Sequence, residues 1–218
     1  MSVLLEMKGI SKRFRGVHAL KGVDFDLREG EVHALVGENG AGKSTLMKVL
    51  TGIHQPDSGE IFYLGKPYAV KDIGEAQALG ISMVHQELNM MNDLTVAQNI
   101  FIGREIRSGL FIKDNDMVKE ARAIFDRIGI DIDPKIKLGR LTVGKQQMVE
   151  IAKAVSRDCK ILVLDEPTND LDLPTLSVLE NFLLDFENTV IVVSHDRHFL
   201  NKVCTHMADV DFGKIKLF

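Results

Sequence analysis

The feature that most constrains this 218-residue chain is the octapeptide Gly37-Glu38-Asn39-Gly40-Ala41-Gly42-Lys43-Ser44. It follows a short apolar run, Val32 to Val36, and opens a segment, Ser44 to Leu50, whose Leu46, Val49 and Leu50 share one helical face. The pattern G-x-x-x-x-G-K-[ST] between a strand and a helix is a phosphate-binding loop. Its glycines let backbone N–H groups curl around phosphate oxygens with no Cβ in the way. The helix N-terminus adds partial positive charge. In such a loop Lys43 reaches the β- and γ-phosphates and the Ser44 hydroxyl ligates Mg²⁺. A nucleoside triphosphate with Mg²⁺ is therefore the expected ligand.

The rest of the chain supplies a frame for that loop. Val3 to Gly9, Gly22 to Leu27, Val32 to Val36 and Glu60 to Leu64 read as strands, punctuated by Gly30, Gly37, Gly59 and Gly65. In the middle third, Met117, Ala121, Ile124, Phe125 and Ile128 recur at helical spacing, as do Met148, Ile151, Ala152 and Val155. Gly129 closes the first of these helices. Two apolar strands, Ile161 to Leu164 and Thr189 to Val193, then alternate with helices near Thr175 to Phe186 and Phe199 to Cys204. Continuous apolar strands separated by helices predict an α/β protein with a parallel sheet covered on both faces.

Composition narrows the function classes. Apolar residues make up 45% and charged residues 27%, as in a soluble globular domain. A net charge of −4 argues against direct DNA binding through bulk charge. The two cysteines, Cys159 and Cys204, are far apart, which fits a reducing compartment better than a disulfide framework. Met1 to Leu5 is too short an apolar run for a leader, and no stretch approaches the ~20 residues of a membrane helix. A soluble chain that meets membranes only through a partner is expected.

A second chemical signal is Ile161-Leu162-Val163-Leu164-Asp165-Glu166-Pro167, a buried strand ending in two acids. Asp165 at the strand tip is placed to hold Mg²⁺, and Glu166 to polarise a water for in-line attack. Pro167 is expected to keep Glu166 extended. Leu141-Thr142-Val143-Gly144-Lys145-Gln146-Gln147 lies upstream, with Gly144 preceding Asp165 by 21 residues. Thr142 caps the helix that follows and Gly144 leaves its start open to a phosphate.

Together these motifs resemble the signature set of ABC-type ATPases, and the resemblance covers essentially the whole chain. It implies a P-loop NTPase fold with a mixed central sheet, an antiparallel β subdomain in the N-terminal part, and a helical subdomain inserted at about 87–158 of a single 1–218 domain. It also implies roles for smaller motifs. Gln86, in His85-Gln86-Glu87, occupies the position of a glutamine that serves catalysis and Mg²⁺ together with Ser44 and Asp165. His195, in Val193-Ser194-His195, is placed as the switch histidine beside the catalytic Glu166 and Lys43. Phe14 matches the aromatic that stacks on adenine, and Asp172 the aspartate of the D-loop. Nucleotide contacts fall to Phe14, Gly37, Asn39, Gly40, Ala41, Gly42, Lys43, Ser44 and Thr45, and, across a head-to-tail dimer, to Thr142, Gly144 and Gln146.

The resemblance divides along the chain. Residues 1–158 are similar to bacterial sugar importer ATPases of the ribose, galactose and xylose type, through Ala34 to Thr45, Val84 to Leu88, Asn99 to Glu105 and Val143 to Lys153. From Asp165 onward, Asp165 to Asp172 and Ser194 to Asn201 resemble the ABC-F proteins, soluble ATPases that act on ribosomes; Val203 to Asp211 carries this too. Both groups usually hold two ATPase domains in one chain, whereas one phosphate loop and one signature occur here. The resemblance implies an ATP-hydrolysing subunit, cytoplasmic and peripheral on the inner face of the cell membrane, that energises a permease for carbohydrate import. The alternatives are a ribosome-bound ATPase and a natural or constructed hybrid with no physiological partner.

Overall fold

The computed structural model describes residues 2–109, 111–211 and 214–217. In chain order the elements are β1 (Val3–Phe14), β2 (Val17–Arg28), β3 (Val32–Val36), α1 (Lys43–Leu50), β4 (Ser58–Tyr63), β5 (Lys66–Pro67), α2 (Ile73–Ala78), β6 (Ile81–Val84) and α3 (Val96–Phe101). They continue with β7 (Arg107–Ser108), β8 (Phe111–Ile112), α4 (Asp114–Ile128), a 3₁₀ turn (Leu138–Arg140), α5 (Val143–Val155), β9 (Ile161–Asp165), α6 (Leu173–Leu184), β10 (Thr189–Val193), α7 (Arg197–Val203), β11 (His206–Asp211) and β12 (Lys214–Leu217).

Two main sheets organise these elements. The first is antiparallel, ordered β2-β1-β4-β5. The second is mixed, ordered β12-β11-β3-β10-β9-β6, with β12 antiparallel to β11 and the other neighbours parallel. The antiparallel N-terminal sheet and mixed central sheet are the architecture expected above. A two-stranded ribbon, β7-β8, precedes α4.

The central sheet is apolar on both faces, as its continuous hydrophobic runs predict. Side chains alternate along each strand. Leu162 and Leu164 of β9, with Val190 and Val192 of β10, pack against α3 to α7. Ile161, Val163, Ile191 and Val193 face the other way, onto α1 and the antiparallel sheet, where Leu5, Phe25 and Leu46 are fully buried. α4 shows Met117, Ala121, Ile124, Phe125 and Ile128 to the first of these two cores, beside Leu162 and Leu164, and ends at Gly129 in the left-handed conformation. The helices α3, α4 and α5 fall within the 87–158 interval read as an inserted helical unit.

The long strands β1 and β2 run past the glycines that marked their expected ends. Gly9 and Gly22 sit at register shifts with φ +62° and +65°. The Gly9 N–H donates to the Asp24 carboxylate at 2.7 Å, and the Gly22 N–H to the Ser11 hydroxyl at 2.9 Å. These are bulges, in which a side chain receives a strand donor, so pairing resumes beyond them.

Candidate functional site

Four parallel strands of the central sheet end at one edge, and the candidate site is built from the residues just beyond them. β3 ends at Val36 and delivers the loop Gly37–Gly42. β6 ends at Val84 and delivers His85 and Gln86. β9 ends on Asp165 itself, followed by Glu166. β10 ends at Val193 and delivers Ser194 and His195. In open α/β sheets this carboxyl edge is where ligands bind. The cleft there measures about 390 Å³ and is lined by Asn39, Gly40, Gly42, Lys43, Ser44, Thr45, Gln86, Glu166, Asn169 and His195.

The loop conformation demands its glycines. Gly40 and Gly42 adopt φ +83° and +110°, and a Cβ on Gly42 would stand 2.6 Å from the Ala19 carbonyl oxygen. Gly42 also starts α1, with no side-chain cap on the helix N-terminus, so its N–H groups stay open to an anion. The Lys43 ammonium folds back over the loop. It donates to the carbonyls of Gly37 and Glu38 at 2.7 and 3.1 Å and lies 3.4 Å from His195 Nε2. Burial lowers its pKa from the ordinary lysine value, opposed by Glu166, Asp165 and Asp209.

The acids meet the loop from the neighbouring strand. The Ser44 hydroxyl donates to Asp165 Oδ1 at 3.2 Å. Burial raises the Asp165 pKa, and the Ser44 hydrogen bond and Lys48 oppose the rise. His85, beside Gln86, is pushed the other way by its own burial, with Asp165 opposing. Glu166 Oε1 is 3.2 Å from His195 Nε2.

One local expectation fails. Glu166 is not extended: its φ is +50°, in the left-handed region, despite Pro167. Its N–H donates to the Val193 carbonyl at 2.7 Å, which continues the β9–β10 ladder one residue past the strand end. The turn brings the carboxylate beside His195 at a cost of about 1–2 kcal/mol for a residue with a Cβ.

The other sequence candidates lie elsewhere. Gly37 lines an adjoining crevice with Ser194, Arg197 and Asp209, and Ala41 is buried. Phe14 is 38% exposed, away from the cleft lining, with its ring edge-on to His54 at 5.0 Å and Lys12 above it. Thr142, Gly144 and Gln146 form the start of α5, where the Thr142 side chain accepts from the Lys145 N–H. This helix start abuts the Asp170–Leu171 turn: a Cβ on Gly144 would lie 3.2 Å from the Asp170 carbonyl oxygen. Asp172 caps α6, its carboxylate accepting from the Thr175 N–H at 2.9 Å. Asn169 is a cleft residue that the sequence reading left without a role; its only signal was its place three residues after Glu166.

The donors at Ser44, Asp165 and Gln86 are all oxygens, the chemistry that Mg²⁺ prefers. No cluster of three or more His, Cys, Asp or Glu residues fit for a metal occurs among the described residues. No described helix is long and apolar enough to cross a membrane.

Comparison with known proteins agrees with this geometry. Residues 20–169 match the family model described as ABC transporter. A protein of Burkholderia cenocepacia named as a ribose/galactose/methyl galactoside import ATP-binding protein is 50% identical over 216 residues, 97% of this chain and 42% of its own length. The xylose import ATP-binding protein XylG of Geobacillus kaustophilus is 48% identical over 204 residues, 93% of this chain and 40% of its own length. The importer likeness thus extends beyond residue 165, into the segment that resembles ABC-F proteins, and the chain spans about 42% of the length of the first relative. Among solved structures, a nucleotide-free ATP-binding cassette from an ABC transporter superposes with TM-score 0.88 at 27% identity, covering 98% of this chain and 90% of the other. An ABC transporter cassette in its ADP conformation gives 0.87 at 27% identity, covering 99% and 90%. Loop, acid pair, fold and relatives converge: the chain belongs to the ABC transporter family.

Proposed function

We propose that this chain binds Mg–ATP in the cleft at the carboxyl edge of its central sheet and hydrolyses the terminal phosphate to drive carbohydrate import through a membrane permease. The observation that carries the proposal is the hydrogen-bond distance linking Ser44 to Asp165 and Glu166 to His195 to Lys43 around one cleft. The import role is supported by relatives named as sugar import ATP-binding proteins over 97% of this chain.

In this reading the N–H groups of Gly40 to Ser44 receive phosphate oxygens. Lys43 exchanges its two carbonyl partners for the β- and γ-phosphates, a favourable trade for a buried ammonium. Ser44, Asp165 and Gln86 would hold Mg²⁺, which would supply charge neutralisation for the phosphates. Glu166 accepts a proton from the attacking water, whose oxygen bonds to the γ-phosphorus as the bridging P–O bond to ADP breaks. His195, between Glu166 and Lys43, holds the γ-phosphate and orients the carboxylate. Phe14 stacks on adenine.

Thr142, Gly144 and Gln146 lie outside the cleft lining of their own chain. In a head-to-tail pair they face the partner's nucleotide, where a second helix N-terminus meets the γ-phosphate. ATP then holds two cassettes together and hydrolysis releases them. The pair sits at the inner face of the membrane against the permease.

The test is ATP turnover and binding. Glu166→Gln should cut kcat by about 10²–10⁴ while ATP affinity stays near wild type. Lys43→Ala should lose affinity instead. Turnover in vesicles carrying a sugar permease should rise with sugar-loaded binding protein and not with ribosomes. Wild-type turnover in Glu166→Gln would remove Glu166 as the base, unchanged affinity in Lys43→Ala would remove the loop as the phosphate site, and stimulation by ribosomes alone would overturn the import role.

A further inference from the structure

The stretch that carries Gln86 is held from beneath by two buried polar side chains that the chemistry above does not use. Gln86 leaves β6 and enters a segment with neither helix nor strand that reaches the capping Thr95 of α3. The Asn89 backbone N–H donates to Glu150 Oε1, on α5, at 3.3 Å. Two residues on, the Met91 N–H donates to Asn99 Oδ1 at 2.8 Å, and Asn99 Nδ2 donates to the Met91 and Thr95 carbonyls at 2.9 and 3.0 Å. Glu150 is 9% exposed and Asn99 1%. The far end of the segment is therefore closed by Asn99, and the near end, three residues from Gln86, by Glu150.

Glu150 is an expensive way to accept one N–H. It lies on α5 beside the buried Val149 and Ile151, and its Oε2 has no hydrogen-bond partner. A buried carboxylate oxygen left without a donor costs stability. Burial raises its pKa, with the Asn89 N–H and Lys153 opposing. The same helix begins at Thr142 to Gln146. One rigid element thus touches both the stretch that would face a partner's nucleotide and the loop that presents Gln86 to its own.

We propose that Glu150 is a positioning residue for the hydrolytic step: it fixes the backbone at Asn89, and so places Gln86 in the cleft. The role rests on the reading of that cleft as an ATPase site. Glu150 touches no nucleotide. It acts through one hydrogen bond, and the side chain needs only an oxygen acceptor of the right length.

The experiment is steady-state ATP hydrolysis by the chain and by Glu150→Ala, Glu150→Gln and Asn89→Pro, with thermal melts alongside. Misplacing a reacting group by a fraction of an ångström to an ångström costs ten-fold or more, so Glu150→Ala should lose about ten-fold in kcat while KM for ATP changes less than about two-fold. Glu150→Gln, which keeps the acceptor, should retain kcat within about three-fold. Asn89→Pro removes the donor from the exposed side of the same bond and should repeat the Glu150→Ala loss; adding Glu150→Ala to it should lower kcat no further. If Glu150→Ala fails to fold, Asn89→Pro reads the same bond alone. Wild-type kcat in Glu150→Ala or Asn89→Pro, equal loss in the Gln and Ala variants, or a loss confined to KM would overturn the role. The wild-type chain and Glu166→Gln, assayed beside them, separate the two readings: a wild-type chain with no turnover above background, or a turnover that does not fall in Glu166→Gln, refutes the reading of this cleft as the hydrolytic site, whereas an inactive Glu166→Gln with a fully active Glu150→Ala refutes only the positioning role.

Discussion

At Asp165 function and stability pull in opposite directions. The residue is 6% exposed, and burial raises the pKa of its carboxyl above the reference value of 3.8. A group whose folded pKa is raised contributes its stability below the unfolded value and loses it as pH climbs through the folded one. At neutral pH the ionised side chain therefore destabilises the nucleotide-free fold. Asp165→Asn keeps an acceptor for the Ser44 hydroxyl and removes the charge. It should raise Tm at pH 7, by about 2–4 °C for each kcal/mol relieved, with the gain shrinking as pH falls toward the carboxyl range, while Mg-dependent turnover is lost. An unchanged or lower Tm at pH 7 in a thermal melt would refute this. Single residues also mark the limit of the sequence. Lys43, Ser44 and Asp165 were legible because their motifs state the local backbone along with the residue. The left-handed turn at Glu166 was not: Pro167 argues for extension, and what overrides it is a hydrogen bond to Val193, 27 residues away in sequence.

Elements were legible where periodicity was sustained and misread where punctuation was taken as an end. α4 and α5 follow their apolar spacing, and Gly129 caps α4 as expected. β1 and β2 were cut short at Gly9 and Gly22 because a bulge and a turn carry the same residue; only the partner side chains Asp24 and Ser11 distinguish them. α7 shows how an element positions a site residue. It starts two residues after His195, and the carboxylate of the intervening Asp196 accepts the N–H groups of both His198 and Phe199, at 2.9 and 3.1 Å. Loss of such a cap costs about 1 kcal/mol. Asp196→Ala should lower Tm by about 2–4 °C in a thermal melt and Asp196→Asn should restore most of it; a melt identical to wild type would show that the cap contributes nothing.

Across the molecule, one geometric fact organises the rest: β3, β6, β9 and β10 are parallel neighbours or near neighbours that end at the same edge. Residues separated by up to 158 positions, Gly37 to His195, converge there without any loop having to be long. Motif order along the chain made that convergence predictable. The resemblance divides the motifs between two copies; in the structure Gln86, Glu166 and His195 line one cleft with the phosphate loop, whereas Thr142, Gly144 and Gln146 stand apart at the start of α5. That separation is physically sensible for residues that would serve a second copy. The central claim is that amides of the loop and the acids at the β9 tip address one triphosphate. A crystal structure of the Glu166→Gln variant grown with Mg–ATP measures this most directly. It should show the γ-phosphate cradled by Gly40 to Ser44, Mg²⁺ on Ser44 and Asp165, and residue 166 facing the γ-phosphorus beside His195. Nucleotide bound elsewhere, or strand-tip acids turned away from its phosphates, would contradict the account.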